Sequence, residues 1–296
     1  MCGNNDKKLR QAEQMAKNKI CYDKCVCPKL RVKNKCGECA VFESLSRYYL
    51  NYEVGKHTSG GIDRWTWEDI GLVAKSGKAE EWFFLGDEKK ITLNGGEEIT
   101  VVIVGFNHDN LEGGGKAGIT FALKDVLKED YCINVEHTNV GGWRKSKMRT
   151  EYLDKIYRLF PEEVRRLIKP VVKLTGVGNG RGGAVESRVD EVEQTVDKLF
   201  LFSGNEVEGT EEFFDSGADC GFEGPEDIAA PNEGKQYPYF IDRKNYAVYR
   251  NGDRESWWVR SPHCGSDWGF CYYYRGSELT YCGAEQKFAV RFGFCI

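Results

Sequence analysis

The last forty residues, 257–296, constrain the fold of this chain more than any other stretch, because they interleave two different compositions. One set is large and apolar or basic, and it is expected to pack as a stiff frame. Its members are Trp257, Trp258, Arg260, Pro262, Phe270, Val290, Arg291, Phe292 and Phe294. The other set is polar and aromatic and is interrupted by glycines. Tyrosine, serine and glycine on loops above a stiff frame are typical of a binding surface, since rigid rings give contact area at low entropy cost.

The polar and aromatic set supplies the candidate ligand-binding residues. Tyrosine and tryptophan dominate binding hot spots because they bury a large area and still present a polar tip. The charged members would add directional polar contacts. The alternative is that the tyrosines cover an edge of the core. The candidates are His263, Asp267, Trp268, Tyr272, Tyr273, Tyr274, Arg275, Glu278, Thr280, Tyr281 and Glu285.

The clearest local signal for secondary structure lies in residues 89–106. Two β-rich runs flank Asn94-Gly95, a pair that supplies the positive φ angles of a tight hairpin turn. Residues 101–106 are almost entirely apolar, which predicts a central, buried strand. The polar residues 108–110 follow directly. A metal or catalytic role is one interpretation of them, and a polar turn is favoured.

Helices are predicted on both sides of this hairpin. Residues 67–76 form a short helix that Gly77 ends. Residues 148–159 form a second helix, and Pro161 begins a third with two glutamates in its first turn. The glycine-rich run 176–183 lacks the lysine and hydroxyl residue of a phosphate-binding loop, so a plain loop is predicted there.

Several motifs in a fixed order carry a family resemblance. The C-terminal ones are W-W-x-R-S-P, F-C and A-x5-V-R-F-G-F. The upstream ones are GLVAKSGKAEEWFFLGDEKKITLNG, VVIVGFNHD, GGWRKSKMRTEYL and LIKPVVKLT. Together they resemble, over roughly residues 65–296, a bacterial and phage family of C-type-lectin-like domains. That family is related to the formylglycine-generating-enzyme type of lectin fold. Some of its members are variable proteins of diversity-generating retroelements, whose ligand-binding positions lie in the C-terminal segment.

This resemblance implies an α+β chain with a C-type lectin-like fold, made of short antiparallel sheets and flanking helices, over residues 61–296. The candidate variable segment is 256–296. The end of the chain is expected to return to the middle of a sheet. The frame residues expected to be buried there are Trp257, Trp258, Phe292 and Phe294.

The same resemblance implies a non-enzymatic, ligand-binding function, as in a phage or bacterial adhesin that recognises a protein or glycan on a cell surface. No calcium site is predicted, because the Glu/Gln-Pro-Asn/Asp and Trp-Asn-Asp motifs of calcium-dependent lectins are missing from the terminal segment. The alternative is a copper-dependent cysteine oxidase related to the formylglycine-generating enzymes, with Cys271 and Cys282 as its thiol pair.

The residue types in the terminal segment test whether a retroelement could have diversified it. Adenine-directed mutation of asparagine codons reaches tyrosine, serine, aspartate and histidine, but not tryptophan, glutamate, lysine or glutamine. His263, Asp267 and the run 272–274 fit that set, as do residues 279–282. Trp268 and Glu278 do not fit, nor do residues 285–287. Diversification is therefore predicted at a subset of positions at most.

The first sixty residues, 1–60, are predicted to form a separate region that ends in a linker. A charged helix over 6–19 precedes five cysteines in the pattern C-x3-C-x-C-x8-C-x2-C. Four thiolates would form a structural zinc site, and the segment would then tether the chain to a partner or to other copies of itself. The alternative is a leader that forms intermolecular disulfides. The predicted zinc ligands are Cys21, Cys25 (or Cys27), Cys36 and Cys39.

Charge and hydropathy argue against several other classes of protein. The net charge is −4, from 42 basic and 46 acidic residues, so no basic field for nucleic-acid binding is predicted. No apolar run is long enough to cross a membrane, and the N-terminus lacks the apolar core of a signal peptide. The chain is therefore expected to be cytoplasmic when synthesised, with association with a virion as a further hypothesis.

Overall fold

The structure is a computed structural model that describes residues 61–179, 191–209, 229–230 and 232–296. The chain separates into two compact units, Met1–Arg64 and Trp65–Ile296. The second unit is the one described below. The predicted N-terminal helix, the linker and the cysteine-rich module lie outside the described residues. So do the predicted zinc ligands Cys21, Cys25, Cys36 and Cys39.

Short strands make up most of the regular structure in the described ranges. They are β1 (Glu88–Thr92), β2 (Glu98–Phe106), β3 (Asn110–Leu111), β4 (Ile119–Leu123), β5 (Val171–Gly176), β6 (Val192–Asp197), β7 (Leu199–Leu201), β8 (Tyr249–Arg250), β9 (Asp253–Arg254), β10 (Trp257–Pro262), β11 (Gly269–Tyr274), β12 (Glu278–Gly283) and β13 (Phe292–Cys295). Each strand pairs antiparallel with its neighbours.

The helices are short and surround these sheets. They are α1 (Trp67–Lys75), α2 (Gly142–Lys145), α3 (Leu153–Leu159), α4 (Glu162–Arg165) and α5 (Gly204–Glu208). A π-helical turn, Met148–Tyr152, leads into α3. Single 3-10 turns span Ile62–Arg64, Ala79–Glu81, Pro238–Ile241 and Arg243–Tyr246. Among the helices of the described ranges, none combines the length and the apolar composition that crossing a membrane requires.

The largest sheet has five strands in the order β1-β2-β4-β13-β7. The end of the chain therefore lies between β4 and β7, as the sequence predicts. Phe294 stacks on Phe121 of β4 with ring centroids 5.3 Å apart, and all four frame residues named above are fully buried. Other sheets are β10-β11-β12, β3-β5-β6 and β8-β9. Small antiparallel sheets with few helices confirm the predicted α+β composition.

The predicted hairpin forms, but its turn differs from the prediction. The Leu93 N–H donates to the Glu97 carbonyl at 2.8 Å, so the loop between the strands holds three residues rather than two. The positive φ lies at Gly96, at 83°, and neither Asn94 nor Gly95 adopts one. A three-residue loop places its left-handed residue last. Asn94 instead docks the hairpin on α3, because its N–H donates to the Leu159 carbonyl at 2.7 Å.

The predicted helices are confirmed with small changes at their ends. Thr66 caps α1 by accepting a hydrogen bond from the Asp69 N–H at 3.1 Å, and Gly77 follows the helix with a φ of 70°. The predicted helix 148–159 contains the π-helical turn before α3. Of the predicted loop 176–183, Gly176 ends β5 and residues 180–183 lie outside the described ranges.

Candidate functional site

The three-stranded sheet β10-β11-β12 carries the candidate binding segment, and its two faces have different roles. Side chains alternate between the faces of a strand, so neighbouring tyrosines point opposite ways. Tyr273 pairs with Trp257 on one side and with Leu279 on the other, and this face packs into the hydrophobic core. Tyr272 pairs with Trp258 and with Thr280 on the opposite face.

Tyr273 is a core residue, which corrects its assignment as a ligand-binding residue. Its ring is 0% exposed and stacks on Trp257 with centroids 4.8 Å apart. Its hydroxyl donates to Glu208 at 3.2 Å. Burial raises the pKa of Tyr273 well above its usual range, so the hydroxyl stays protonated and remains a donor. The Tyr273 ring therefore packs between the sheet and the hydrophobic core.

The opposite face of the hairpin presents aromatic and polar groups outwards. The Tyr272 ring is half-buried and stacks on Phe288 with centroids 4.3 Å apart. Tyr274 is 47% exposed, and the Arg275 guanidinium lies 5.9 Å from its ring centroid. Glu278 pairs with Tyr274 across the strands and is exposed. We call this surface the hairpin face, and its residues are Tyr272, Tyr274, Arg275, Glu278, Thr280 and Phe288.

A second group of candidates gathers around the loop 263–269. Trp268 stacks on His137 with centroids 5.2 Å apart and an interplanar angle of 7°. His137 Nδ1 lies 2.7 Å from Glu285 Oε2. Burial opposes ionisation of Glu285, yet hydrogen bonds from its backbone, Gln286 and His137 hold the pKa of this carboxyl below its usual range. We call the accessible group the loop cluster, and its residues are His137, Asp267, Trp268, Tyr281 and Glu285.

His263 supports the loop cluster rather than forming part of its surface. Its side chain is buried and stacks on Tyr281 with centroids 3.7 Å apart. Its Nδ1 lies 2.8 Å from the Ser266 hydroxyl. The assignment of His263 as a ligand-binding residue is therefore corrected, because the ring is covered by the residues it positions.

Asn139 fixes the path of the 263–269 loop. Its buried side-chain amide donates to the carbonyls of His263, Ser266 and Gly269 at 3.0, 2.8 and 2.8 Å. Its backbone N–H donates to the Asp267 carbonyl at 2.7 Å. Sequence reasoning missed Asn139, His137 and Phe288 because their contacts span long separations, 124 residues or more for the Asn139 side chain. No local pattern around Asn139 signals this role.

The geometry of two cysteines bears on the oxidase alternative. Cys271 pairs with Tyr281 across the strands, and Cys282 pairs with Phe270. The two thiols therefore point to opposite faces of the β11–β12 hairpin. Burial raises the pKa of Cys271 well above its usual range and that of Cys282 to about 12. Both remain thiols at neutral pH, whereas a reactive cysteine is a thiolate.

Beneath β10 lies a group of five buried ionisable residues, which we call the buried charge cluster. Its members are Asp109, Lys173, Glu206, Glu233 and Arg260, and each is almost inaccessible to solvent. Lys173 Nζ lies 2.7 Å from Asp109 and 2.6 Å from Glu206, and Arg260 lies 2.5 Å from Glu206. Two cations therefore balance two carboxylates, since a buried charge requires a partner.

Within the predicted polar turn 108–110, the side chain of Asp109 is buried. Its carboxylate accepts hydrogen bonds from Thr120 at 2.6 Å and from Tyr237 at 2.9 Å, as well as from Lys173. A local signal did exist for Glu206, because Ser203 and Glu206 form a capping box at the start of α5. Within the described residues, no group of three or more histidine, cysteine or acidic side chains is arranged to hold a metal ion.

Arg260 connects the buried charge cluster to the terminal sheet. A register shift in β10 between Trp258 and Pro262 lets the Arg260 N–H bond to the Phe202 carbonyl at 2.9 Å instead of to β11. The guanidinium donates to the carbonyls of Leu174, Leu201 and Glu233 at 2.8, 2.9 and 2.7 Å. One side chain thus ties β10 to β5, to β7 and to Glu233.

Glu233 is the fifth ionisable group in a cluster whose charges already balance. Burial raises its pKa to about 7, against the attraction of Arg260 and the hydrogen bonds from Ser261 and Gly176. A carboxyl whose pKa is raised on folding contributes stability that is present below the unfolded value of 4.5 and is lost as pH rises to about 7. The loss over that interval is about 3 kcal/mol.

Glu233→Gln is expected to remove this loss. The amide can accept from the Gly176 N–H, as Oε1 does now at 2.6 Å, and can donate to Ser261. The variant should unfold with a free energy close to that of the wild type at pH 4.5, and about 2–3 kcal/mol higher at pH 8. Urea unfolding at both pH values measures the difference. Equal pH dependence in the two proteins would show that Glu233 titrates normally.

One family model covers most of the site. The model of a family described as "Domain of unknown function (DUF6273)" matches residues 117–296. The match includes the hairpin face, the loop cluster and every residue of the buried charge cluster except Asp109. Neither the curated proteins nor the solved structures contain a match to this chain.

Proposed function

We propose that this chain, which belongs to the DUF6273 family, is a non-enzymatic ligand-binding protein. The hairpin face and the loop cluster form its binding surface. The observation that carries the proposal is the division of the three-tyrosine run. The middle ring, Tyr273, lies in the core, while Tyr272 and Tyr274 point away from it. Exposed rings on a rigid support bind with little loss of conformational entropy.

The chemistry of the surface favours a polar macromolecular ligand. Trp268 offers an indole face beside the carboxylates of Asp267 and Glu285. The stacked His137 ring fixes the orientation of the indole. Aromatic faces with neighbouring hydrogen-bonding groups suit either a sugar ring or a protein side chain. We therefore propose a protein or glycan on a cell surface as the ligand. In this proposal the chain is a phage or bacterial adhesin on a C-type lectin-like scaffold, with diversification confined to a subset of terminal positions.

Binding to cells tests this proposal. We expect the fluorescently labelled full chain to bind to some strains in a panel of intact bacteria, with flow cytometry as the measurement. The double variant Trp268→Ala/Tyr272→Ala should weaken binding by at least about 30-fold, since a hot-spot ring contributes about 2 kcal/mol or more. Periodate treatment of the cells would abolish binding to a glycan, and protease treatment would abolish binding to a protein.

The matched control removes exposed apolar side chains from elsewhere on the chain. Phe84 is 68% exposed and Ile241 is 70% exposed, and neither belongs to the hairpin face or the loop cluster. Phe84→Ala/Ile241→Ala should bind as the wild type does. Equal binding by wild type and by the Trp268/Tyr272 variant, or no binding to any strain, would contradict the proposal.

A further inference from the structure

Lys173 places a primary amine between two carboxyl groups inside the core. Its Nζ lies 2.7 Å from Asp109 Oδ1 and 2.6 Å from Glu206 Oε1, and the three side chains are 1%, 3% and 4% exposed. Three separate elements supply them: the segment after β2, strand β5 and helix α5. An amine and a carboxyl held in contact and away from solvent are the reactants of an amide bond.

The surroundings of Lys173 are aromatic. Nζ lies 3.9 Å from the Phe200 ring centroid and 5.3 Å from that of Tyr237. A Cβ at Gly105 would lie 3.1 Å from the Tyr237 ring, so the glycine leaves room for the ring at its position beside Lys173. Such walls keep water out, and a dry site lowers the cost of converting an ammonium and a carboxylate into a neutral amine and acid.

The resting state of the three groups is ionic. Burial lowers the pKa of Lys173, but Asp109 and Glu206 outweigh it and raise that pKa. Burial raises the pKa of Asp109, but Lys173 and His108 outweigh it and hold that pKa well below its usual range. Moving a proton from Lys173 to either carboxylate leaves the total charge unchanged. The neutral amine is therefore reached without adding a charge to the core.

The Asp109 carboxyl group is also positioned as the electrophile that an amine can attack. Its Oδ2 accepts a hydrogen bond from the Thr120 hydroxyl at 2.6 Å, and the Tyr237 hydroxyl lies 2.9 Å from both carboxylate oxygens. When an amine adds to a carboxyl carbon, negative charge collects on one oxygen. Two fixed donors stabilise that charge, as in an oxyanion hole. The other oxygen, Oδ1, faces Lys173.

We propose that Lys173 and Asp109 condense into an intramolecular amide cross-link, with Glu206 as the group that transfers a proton. A bond forms between Nζ and the Asp109 Cγ, and the bond from Cγ to Oδ1 breaks. Of the three ammonium protons, one stays on the amide nitrogen and two leave with Oδ1 as water. Glu206 accepts one of these two from Nζ and delivers it to the departing oxygen. No oxidant is needed, and contact between the reactants replaces a bimolecular encounter.

The cross-link leaves the buried charge cluster balanced. It removes one positive and one negative charge together, and Glu206 keeps its partner Arg260 at 2.5 Å. It also joins two positions that are 64 residues apart. Closing a loop of that length restricts the unfolded chain as a disulfide does.

Mass spectrometry of the denatured full chain tests the proposal. We expect an intact mass lower than the sequence mass by one water molecule, after incubation at neutral pH. Tandem spectra of a digest should show a branched peptide that joins Lys173 to Asp109. An intact mass equal to the sequence mass would overturn the proposal, and so would a water loss located at any other residue. This measurement does not depend on whether a variant folds.

Two glutamate variants test the role of Glu206. Glu206→Gln keeps the shape of the side chain but cannot transfer the proton, so most molecules should retain the full mass. Glu208→Gln is the matched control, because Glu208 is also buried and accepts from Tyr273 rather than contacting Lys173. It should lose water as the wild type does. A cross-link that forms equally in both variants would overturn the assignment of Glu206.

Discussion

Arg260→Met is expected to lower the free energy of unfolding by about 3–5 kcal/mol, because it leaves Lys173 as the single buried cation for the carboxylates of Asp109 and Glu206. The variant removes the 2.5 Å ion pair with Glu206. It also removes the hydrogen bonds to the carbonyls of Leu174 and Leu201. A typical domain is stable by only about 5–15 kcal/mol, so much of the protein should be unfolded or insoluble. Urea unfolding followed by circular dichroism measures the change.

A second substitution at Arg260 separates the loss of its charge from the loss of its hydrogen bonds, and a surface variant is the control. Arg260→Lys keeps the cation but not the planar fork that reaches several carbonyls, so its stability should lie between that of Arg260→Met and the wild type. Arg254→Met is the surface control, since Arg254 is exposed on β9. Its effect should stay within about 0.5 kcal/mol. Similar effects of Arg260→Met and Arg254→Met would show that the buried charge cluster does not stabilise the fold.

Tyr273→Ala is expected to cost about 3–5 kcal/mol of unfolding free energy, as for other large aromatic residues removed from a core. It deletes the ring stacked on Trp257 and the hydrogen bond to Glu208. The same substitution at Tyr274, one residue along, should change stability by about 0.5 kcal/mol or less, because that ring is 47% exposed. Thermal and urea unfolding of the two variants give the comparison.

Tyr273→Phe isolates the hydroxyl of the same side chain. It keeps the stacked ring and removes only the bond to Glu208, so the expected cost is about 1 kcal/mol. If Tyr273→Ala and Tyr274→Ala lost equal stability, the assignment of one tyrosine to the core and the other to the surface would be wrong. Loss of cell binding without loss of stability in Tyr273→Ala would contradict it in the same way.

The candidate site could be predicted in part, and the failures have a common cause. Composition alone indicated the candidate binding segment, because tyrosine and glycine concentrate there. Composition does not show, however, which residues of a strand point to the core. Each of the three consecutive tyrosines could therefore be assigned to either face. The pairing of Tyr273 with Trp257 selects the face, since a shift of one residue would send every side chain to the opposite side. The same limit applies to His263, whose ring is covered by Tyr281.

Local sequence signals predict the helices, the hairpin and the apolar frame. The hairpin of β1 and β2 and the helix α1, which Gly77 ends, follow from residue periodicity and turn chemistry. The burial of Trp257 and Phe294 follows from their large apolar side chains. These signals lie within a few residues of one another. They are therefore readable without knowledge of the rest of the chain.

The contacts between distant polar residues depend on the fold of the whole unit. Asp109 and Lys173 are 64 residues apart, Glu206 and Arg260 are 54 apart, and Asn139 reaches carbonyls at least 124 residues away. Asp109, Lys173 and Asn139 look like ordinary surface groups in their local sequence. Burial without a partner would be costly, so each is stable inside only because the fold brings the partner to it. That pairing is a property of chain topology, which neither composition nor periodicity encodes.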